Sequence, residues 1–147
     1  MKIIVINGPN LQLLGSRKPE IYGSETLESI QKHLEAVAKE LKVDIGFFQS
    51  NSEGEIVDLV GSSQKDGVTG IVINPAAYTH TSVAIHDALE SAGTPAIEVH
   101  ISNIYKREEF RRKSLTASAC VGQIAGLGTD GYEWALRALV NHLKKQK

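Results

Sequence analysis

Cysteine is nearly absent from this chain: Cys120 is the single one in 147 residues. A disulfide framework within the chain is therefore excluded, and such usage fits a reducing cytoplasm. The apolar neighbours of Cys120 favour a buried structural thiol over a nucleophile. Charge of one sign is lacking too, because the formal net charge is −1. Nothing in that balance calls for nucleic acid or an anionic membrane as partner. Every apolar run is far too short to cross a bilayer. Met1-Lys2 leads straight into a strand-like segment, without a basic region or small-residue cleavage site, so no signal peptide is expected. Internal repeats, low-complexity tracts and linker-like stretches are missing, and a single domain over residues 1–147 is expected. With 41% hydrophobic and 22% charged residues, such a chain can bury a core without staples.

Several chemical signatures are also missing. The first strand-to-helix turn lacks G-x-G-x-x-G, and no G-x-x-x-x-G-K-[ST] occurs, which removes the dinucleotide fingerprint and the P-loop. A receiver domain needs acidic residues at the end of its first strand, where this chain has Asn7. Flavin binding in such folds uses a hydroxyl-rich first loop, and this one holds Asn, Gly, Pro and Leu. The spacing of His80 and His86 is not that of H-E-x-x-H, and no metal is expected. The run from Lys106 to Lys113 is basic but carries Glu108 and Glu109, which reads as a solvated helix face. Arg111 stands apart from that run, since one guanidinium at a pocket rim can clamp a small polar ligand.

What is present is an alternation of strand and helix. Ile3–Ile6 is a β-branched run ending at Asn7-Gly8-Pro9, a buried strand followed by a turn. Leu27, Ile30, Leu34, Val37, Ala38 and Leu41 recur at helical spacing, with Ser24 or Thr26 as N-cap. Val43–Gln49 reads as a second strand, and Ser52-Glu53-Gly54-Glu55 has capping-box form ahead of Ile56, Leu59 and Val60. Gly70–Ile73 is a third strand, stopped by Asn74-Pro75. Ile85, Ala88, Leu89 and Ala92 form a helical stripe closed by Gly93 and Pro95. Ala96–Ile101 is a fourth strand and Leu115–Ala119 is expected to be the fifth. Asp130-Gly131-Tyr132-Glu133 opens a last helix carrying Trp134, Leu136, Leu139, Val140 and Leu143. Strands alternating with helices predict an α/β fold with a doubly wound parallel sheet and helices on both faces. The flavodoxin-like five-stranded order 2-1-3-4-5 is the common solution.

Ligands in such sheets bind beyond the carboxyl ends of the strands. There the chain places Asn7 to Asn10, Asn74 to Ser82, and Glu98 to Asn103, all rich in amides, hydroxyls and imidazoles. Glu98 and His100 share one face of the fourth strand. A carboxylate beside an imidazole fixes its tautomer and favours its protonated form, which suits a proton donor. The loop Ser16-Arg17-Lys18-Pro19-Glu20-Ile21-Tyr22-Gly23 adds a phenol near a guanidinium. A tyrosine titrates at about 10 and is a poor base at neutral pH. A neighbouring cation favours the phenolate, so Arg17 would activate Tyr22 as a general base. Pro19 and Gly23 suit that loop to act as a lid. An ordinary surface turn with an exposed Tyr and Arg remains the alternative from these residues alone. On the same grounds a different α/β lyase or isomerase making an enolate, and a non-catalytic binding module, both stay open.

The chain resembles the type II 3-dehydroquinate dehydratases along essentially its whole length. The likeness is carried by Asn7-Gly8-Pro9-Asn10-Leu11, Gly15-Ser16-Arg17, Glu20-Ile21-Tyr22-Gly23 and Phe48-Gln49-Ser50-Asn51. It continues through Asn74-Pro75-Ala76-Ala77, Thr79-His80-Thr81-Ser82, Glu98-Val99-His100-Ile101-Ser102-Asn103 and Gly122-Gln123-Ile124. Gln12 departs from the asparagine usual between the two leucines of the first loop, a position without a catalytic role. The resemblance implies a flavodoxin-like lyase of the shikimate pathway that turns 3-dehydroquinate into 3-dehydroshikimate through an enolate. It implies no cofactor and no Schiff-base lysine. By the same resemblance Tyr22 is the base, Arg17 its activator, His100 the acid and Glu98 its orienting partner. Asn10 helps a water bear the enolate charge. Ile101 and Ser102 offer N–H groups to the substrate carboxylate, with Asn74 nearby, and a helix starting soon after would reinforce that site. His80 and Arg111 meet ring hydroxyls, and Asp87 reaches the site from a neighbouring subunit. A cytoplasmic homo-oligomer, a dodecamer built from trimers, is implied as well.

Overall fold

The computed structural model describes residues 1–16, 18, 20 and 24–147. Tyr22 and Arg17, the expected base and its activator, lie outside the described residues, as do Pro19 and Gly23 of the expected lid. Five parallel strands stand in the order β2-β1-β3-β4-β5: β1 Lys2–Asn7, β2 Asp44–Gln49, β3 Gly70–Asn74, β4 Ala96–His100 and β5 Gly122–Ala125. The flavodoxin-like order predicted from the element pattern is the observed one.

Among the described residues four α-helices cover the sheet: α1 Leu27–Leu41, α2 Glu53–Ser62, α3 Val83–Ala92 and α4 Asp130–Lys145. Side chains alternate across each strand, so two cores form. Ile3, Val5, Val72, Ile97 and Val99 pack against Ile30, Leu34 and Val37 of α1 and Leu136 and Leu139 of α4. On the other face Ile6, Ile71, Ile73 and Ala96 meet Ile56 and Val60 of α2 and Ile85 and Leu89 of α3.

The caps follow the sequence with one exchange of partner. Thr26 caps α1, accepting from Ser29 N–H at 3.1 Å while the Ser29 hydroxyl receives the Thr26 N–H at 3.1 Å. At α2 the Ser52 hydroxyl accepts from Glu55 N–H at 3.2 Å. The returning half of that box is absent, because the Glu55 carboxylate takes the Ser50 hydroxyl instead. Ser50 in turn accepts the Ser52 N–H at 2.9 Å, so the orphan donor is met by a relay.

Two expectations fail between β4 and β5. The Lys106–Lys113 run is no helix face: short 3₁₀ turns occupy Ile104–Lys106 and Glu109–Arg111. The fifth strand is Gly122–Ala125, paired with Ile97–His100, whereas Ala117–Ala119 is another 3₁₀ turn. Leu115 cannot join a ladder because its N–H goes to the Thr79 carbonyl at 2.7 Å. The true strand contains Gly122 and Ala125 and has no β-branched run to announce it. Among the described residues no helix is long and apolar enough to cross a membrane.

Gly8 is where the loops after β1 and β3 come closest. Its N–H donates to the Asn74 carbonyl at 2.8 Å. A Cβ there would stand 2.4 Å from the Pro75 carbonyl oxygen, so only glycine permits the approach. Gly8→Ala should therefore lower stability by about 1–3 kcal/mol, the usual cost of forcing extra atoms into a packed site. Urea unfolding of both proteins measures this, and an unchanged midpoint would show that the loops do not need the contact.

Candidate active site

The loops after β1, β3 and β4 enclose a cleft of about 200 Å³ at the carboxyl edge of the sheet. Its position at the β1–β3 junction, where the chain reverses direction across the sheet, is where ligands bind in open α/β folds. Two non-glycine residues hold left-handed backbone there: Asn10 with φ 69° and Ala76 with φ 52°. Each is anchored by an amide. Asn10 N–H donates to Asn51 Oδ1 at 2.9 Å, and Ala76 N–H donates to Asn74 Oδ1 at 3.0 Å. Gln49 spans the first of these loops, giving its side-chain N–H groups to the Gly8 carbonyl at 3.2 Å, Gln12 Oε1 at 3.1 Å and Asn51 Oδ1 at 3.2 Å. Gln12 thus belongs to the scaffold of the Asn10 loop.

Beneath the cleft floor lies the fully buried Tyr132, from the first turn of α4. Its hydroxyl donates to Asn7 Oδ1 at 2.6 Å and accepts from Asn74 Nδ2 at 2.8 Å. One phenol therefore joins the last residues of β1 and β3, which sit opposite each other in the sheet. Burial raises the phenol well above its ordinary value, so it is a fixed neutral hydrogen-bonding group.

His100 is the last residue of β4 and opens on the cleft. Its Nε2 lies 3.0 Å from Glu98 Oε2. Glu98 has no solvent exposure. Burial alone would raise its pKa, but the hydrogen bond and charge of His100, with hydroxyl donors from Thr116 and Ser114, hold it at about 2. An ionised carboxylate only accepts, so His100 Nε2 carries a hydrogen and Nδ1 is the ring nitrogen left for the cleft. His80 is arranged differently. Its Nδ1 donates to the Lys113 carbonyl at 2.8 Å. Burial lowers its pKa, outweighing that carbonyl, and the charges of His100 and Arg111 add to the effect. A neutral His80 with its hydrogen on Nδ1 presents Nε2 as an acceptor.

Arg111 lines the cleft with its Nε on Glu108 Oε2 at 2.9 Å and its guanidinium 4.8 Å from the centre of the Phe110 ring. The arrangement combines a pinned imidazole for proton delivery, a neutral imidazole acceptor, a guanidinium and several amides. That set suits acid-assisted elimination from a small polar anion.

The family model described as dehydroquinase class II matches residues 1–140. The chain belongs to the class II dehydroquinase family. A 3-dehydroquinate dehydratase of Endomicrobium trichonymphae is 59% identical over 140 residues, 95% of this chain and 97% of that one. Its namesake from Carboxydothermus hydrogenoformans is 55% identical over 99% of this chain and 94% of its own length. The crystal structure of the type II dehydroquinase from Butyrivibrio crossotus has a TM-score of 0.93 at 48% identity, covering 96% of this chain and 97% of that one.

Of the residues that the dehydroquinase resemblance singled out, Asn10, Asn74, His80, His100, Ile101, Ser102 and Arg111 line this one cleft. Glu98 stands behind His100. Asp87 is exposed on α3 and does not line it. The helix expected to reinforce Ile101 and Ser102 is only the 3₁₀ turn Ile104–Lys106, too short for an α-helical dipole. Arg107 also lines the cleft, its side chain 15% exposed. Composition hides it, because the basic run around it reads as a solvated face. Leu14, Ala76 and Ile104 supply apolar wall. Away from the cleft, His86, Asp87 and Glu90 bring ligand atoms within 4.8 Å of one another, and both acids are exposed to solvent. His86 Nδ1 meets the Leu115 carbonyl at 2.8 Å. Cys120 donates its thiol to the Thr116 carbonyl at 3.5 Å, and burial pushes its pKa up to about 12.

Glu98 links the site to acid stability. Its folded pKa of about 2 lies below the ordinary 4.5, so its stabilisation is present above about 4.5 and lost as pH falls toward about 2. Urea midpoints of the wild type should decline across that window, and those of Glu98→Gln should decline less steeply. Equal slopes would mean that Glu98 is not held ionised by the fold.

Proposed function

We propose that this class II dehydroquinase eliminates water from 3-dehydroquinate through an enolate, with Tyr22 as the base and His100 as the acid. The observation that carries the reading is the buried Glu98–His100 pair opening on a cleft lined by Asn10, Asn74, His80, Ser102 and Arg111. Arg17 favours the phenolate of Tyr22, which takes a proton from the carbon beside the ketone. Negative charge then develops on the ketone oxygen, and a water held by Asn10 bears part of it. Preorganised neutral donors suit this because they need not reorient during the reaction. His100 gives its Nδ1 proton to the departing hydroxyl and releases water. Charge balances: the base gains one proton, the acid loses one, and the carbon–carbon double bond forms as the carbon–oxygen bond breaks.

Ile101 and Ser102 hold the substrate carboxylate, assisted by Asn74. His80 accepts a ring hydroxyl through Nε2, and Arg111 donates to another. The reaction calls for no cofactor or metal, and the lone Cys120 fits a cytoplasmic shikimate-pathway enzyme.

Turnover is followed as formation of the conjugated enone from 3-dehydroquinate. Tyr22→Phe and Arg17→Ala should each fold normally and lose at least about 10²-fold in kcat, the lower scale of general acid–base catalysis. Near-native turnover by either variant would remove these roles.

The same reading extends to assembly as a homo-oligomer of trimers, in the limit a dodecamer. Asp87 is exposed beside Val83, which is 61% exposed on the same helix, and this fits a helix that meets a neighbouring subunit and lends Asp87 to its site. Sedimentation should give a trimer or a multiple of it, with Val83→Asp dissociating the particle. A monomer at assay concentration with full activity rules the shared site out.

A further inference from the structure

Glu98 is surrounded by more donors than orienting a histidine requires. Thr79 Oγ1 donates to Oε1 at 2.9 Å, and the Thr116 hydroxyl donates to the same oxygen. On Oε2, Ser114 Oγ lies at 2.8 Å and Gln123 Nε2 at 2.7 Å, beside His100 Nε2 at 3.0 Å. Two carboxylate oxygens offer roughly four acceptor sites, so neutral donors nearly saturate them before His100 is counted. The hydroxyls also touch one another, Thr79 lying 2.7 Å from Thr116 and 2.9 Å from Ser114.

The segment carrying two of these hydroxyls is stitched down residue by residue. Lys113 O meets His80, Leu115 N–H meets the Thr79 carbonyl, and Leu115 O meets His86. That anchoring turns Ser114 and Thr116 toward Glu98, while Gln123 arrives from β5. The other titratable groups facing Glu98 are Cys120, His80 and His100, with the Arg111 charge reaching His80.

The glutamate and the imidazole share one mobile proton, and it can lie in two places. With that proton on the histidine, His100 is an imidazolium whose Nδ1–H faces the cleft and is acidic enough for a hydroxyl leaving group. If the Nε2 proton moved to Glu98, the cleft would face the N–H of a neutral imidazole, a far weaker acid. The total proton count is the same in both states. Burial favours the second, because it removes two charges from a site shielded from solvent.

We propose that Thr79, Ser114, Thr116 and Gln123 are positioning residues that keep the proton shared by Glu98 and His100 on the histidine, where it can be presented to the cleft. This rests on the reading of His100 as the acid. Neutral donors do this without adding a competing positive charge beside His100.

The test uses Thr116→Val, which replaces the hydroxyl by a methyl, with Thr116→Ser as the conservative rescue. Gln123→Met is a second, half-buried position where folding is less at risk. Losing a donor strengthens the proton affinity of Glu98, and one pKa unit redistributes the proton tenfold. The kcat plateau should fall, by at most about 10-fold, with KM nearly unchanged. The alkaline limb of kcat should move to higher pH, because a barer carboxylate holds the shared proton more tightly. Imidazole ¹⁵N shifts of His100 in ligand-free protein should show less imidazolium below that limb, and Thr116→Ser should restore both readouts. A plateau that falls with an unmoved limb and unchanged ¹⁵N shifts would reduce the quartet to ordinary structural support and overturn the proposal. So would folded Thr116→Val and Gln123→Met proteins with wild-type profiles. The ¹⁵N arm does not depend on turnover, so an altered proton position together with an active His100→Gln protein would sink the acid role and leave the quartet standing.

Discussion

A carboxylate with no solvent exposure sits in the middle of the buried strand β4, ringed by hydrogen-bond donors. Removing an ion from water costs roughly several kcal/mol even after the protein relaxes. That cost is tolerable only when every lone pair of the carboxylate is met. Here the donors come from the turn after β3, from the segment before β5, from β5 and from His100. The consequence is felt one residue outward. Its contact with Glu98 orients the His100 ring, and the second ring nitrogen is left for the cleft.

The opposite wall is held by neutral groups. Tyr132 joins Asn7 and Asn74, and Gln49 joins Gly8, Gln12 and Asn51. These amides and one phenol support two left-handed residues, Asn10 and Ala76, that backbone preference alone would not sustain. Hydrogen bonds thus anchor the loops on both sides of the β1–β3 junction. Fixed donors stabilise developing charge better than ones that must turn to meet it.

Much of this was legible in the chain. β1 and β3 are continuous β-branched runs, and in β4 Ile97 and Val99 alternate with Glu98 and His100, a two-residue period that puts those two on one face. Leu115–Ala119 reads as a strand by its place in the alternation, although its many small residues give that reading little support. In the fold its backbone and hydroxyls are drawn to Thr79 and Glu98, so it cannot pair as a strand. Gly122–Ala125 carries too little β-branched character to be noticed by periodicity. The basic run concealed Arg107 for a similar reason: composition describes an average face, whereas two 3₁₀ turns aim individual guanidiniums.

Local patterns in the sequence determined which segments become strands and helices, and strand handedness then left few ways to order them. They also determined that the amides and imidazoles fall at strand ends, and so along one edge. Only the tertiary structure decided that Thr79, Ser114, Thr116 and Gln123 converge on Glu98, and that Tyr132 reaches two asparagines from the far end of the chain. Those contacts join segments distant along the backbone. Their partners depend on how packed layers meet, and no periodicity within a segment encodes that.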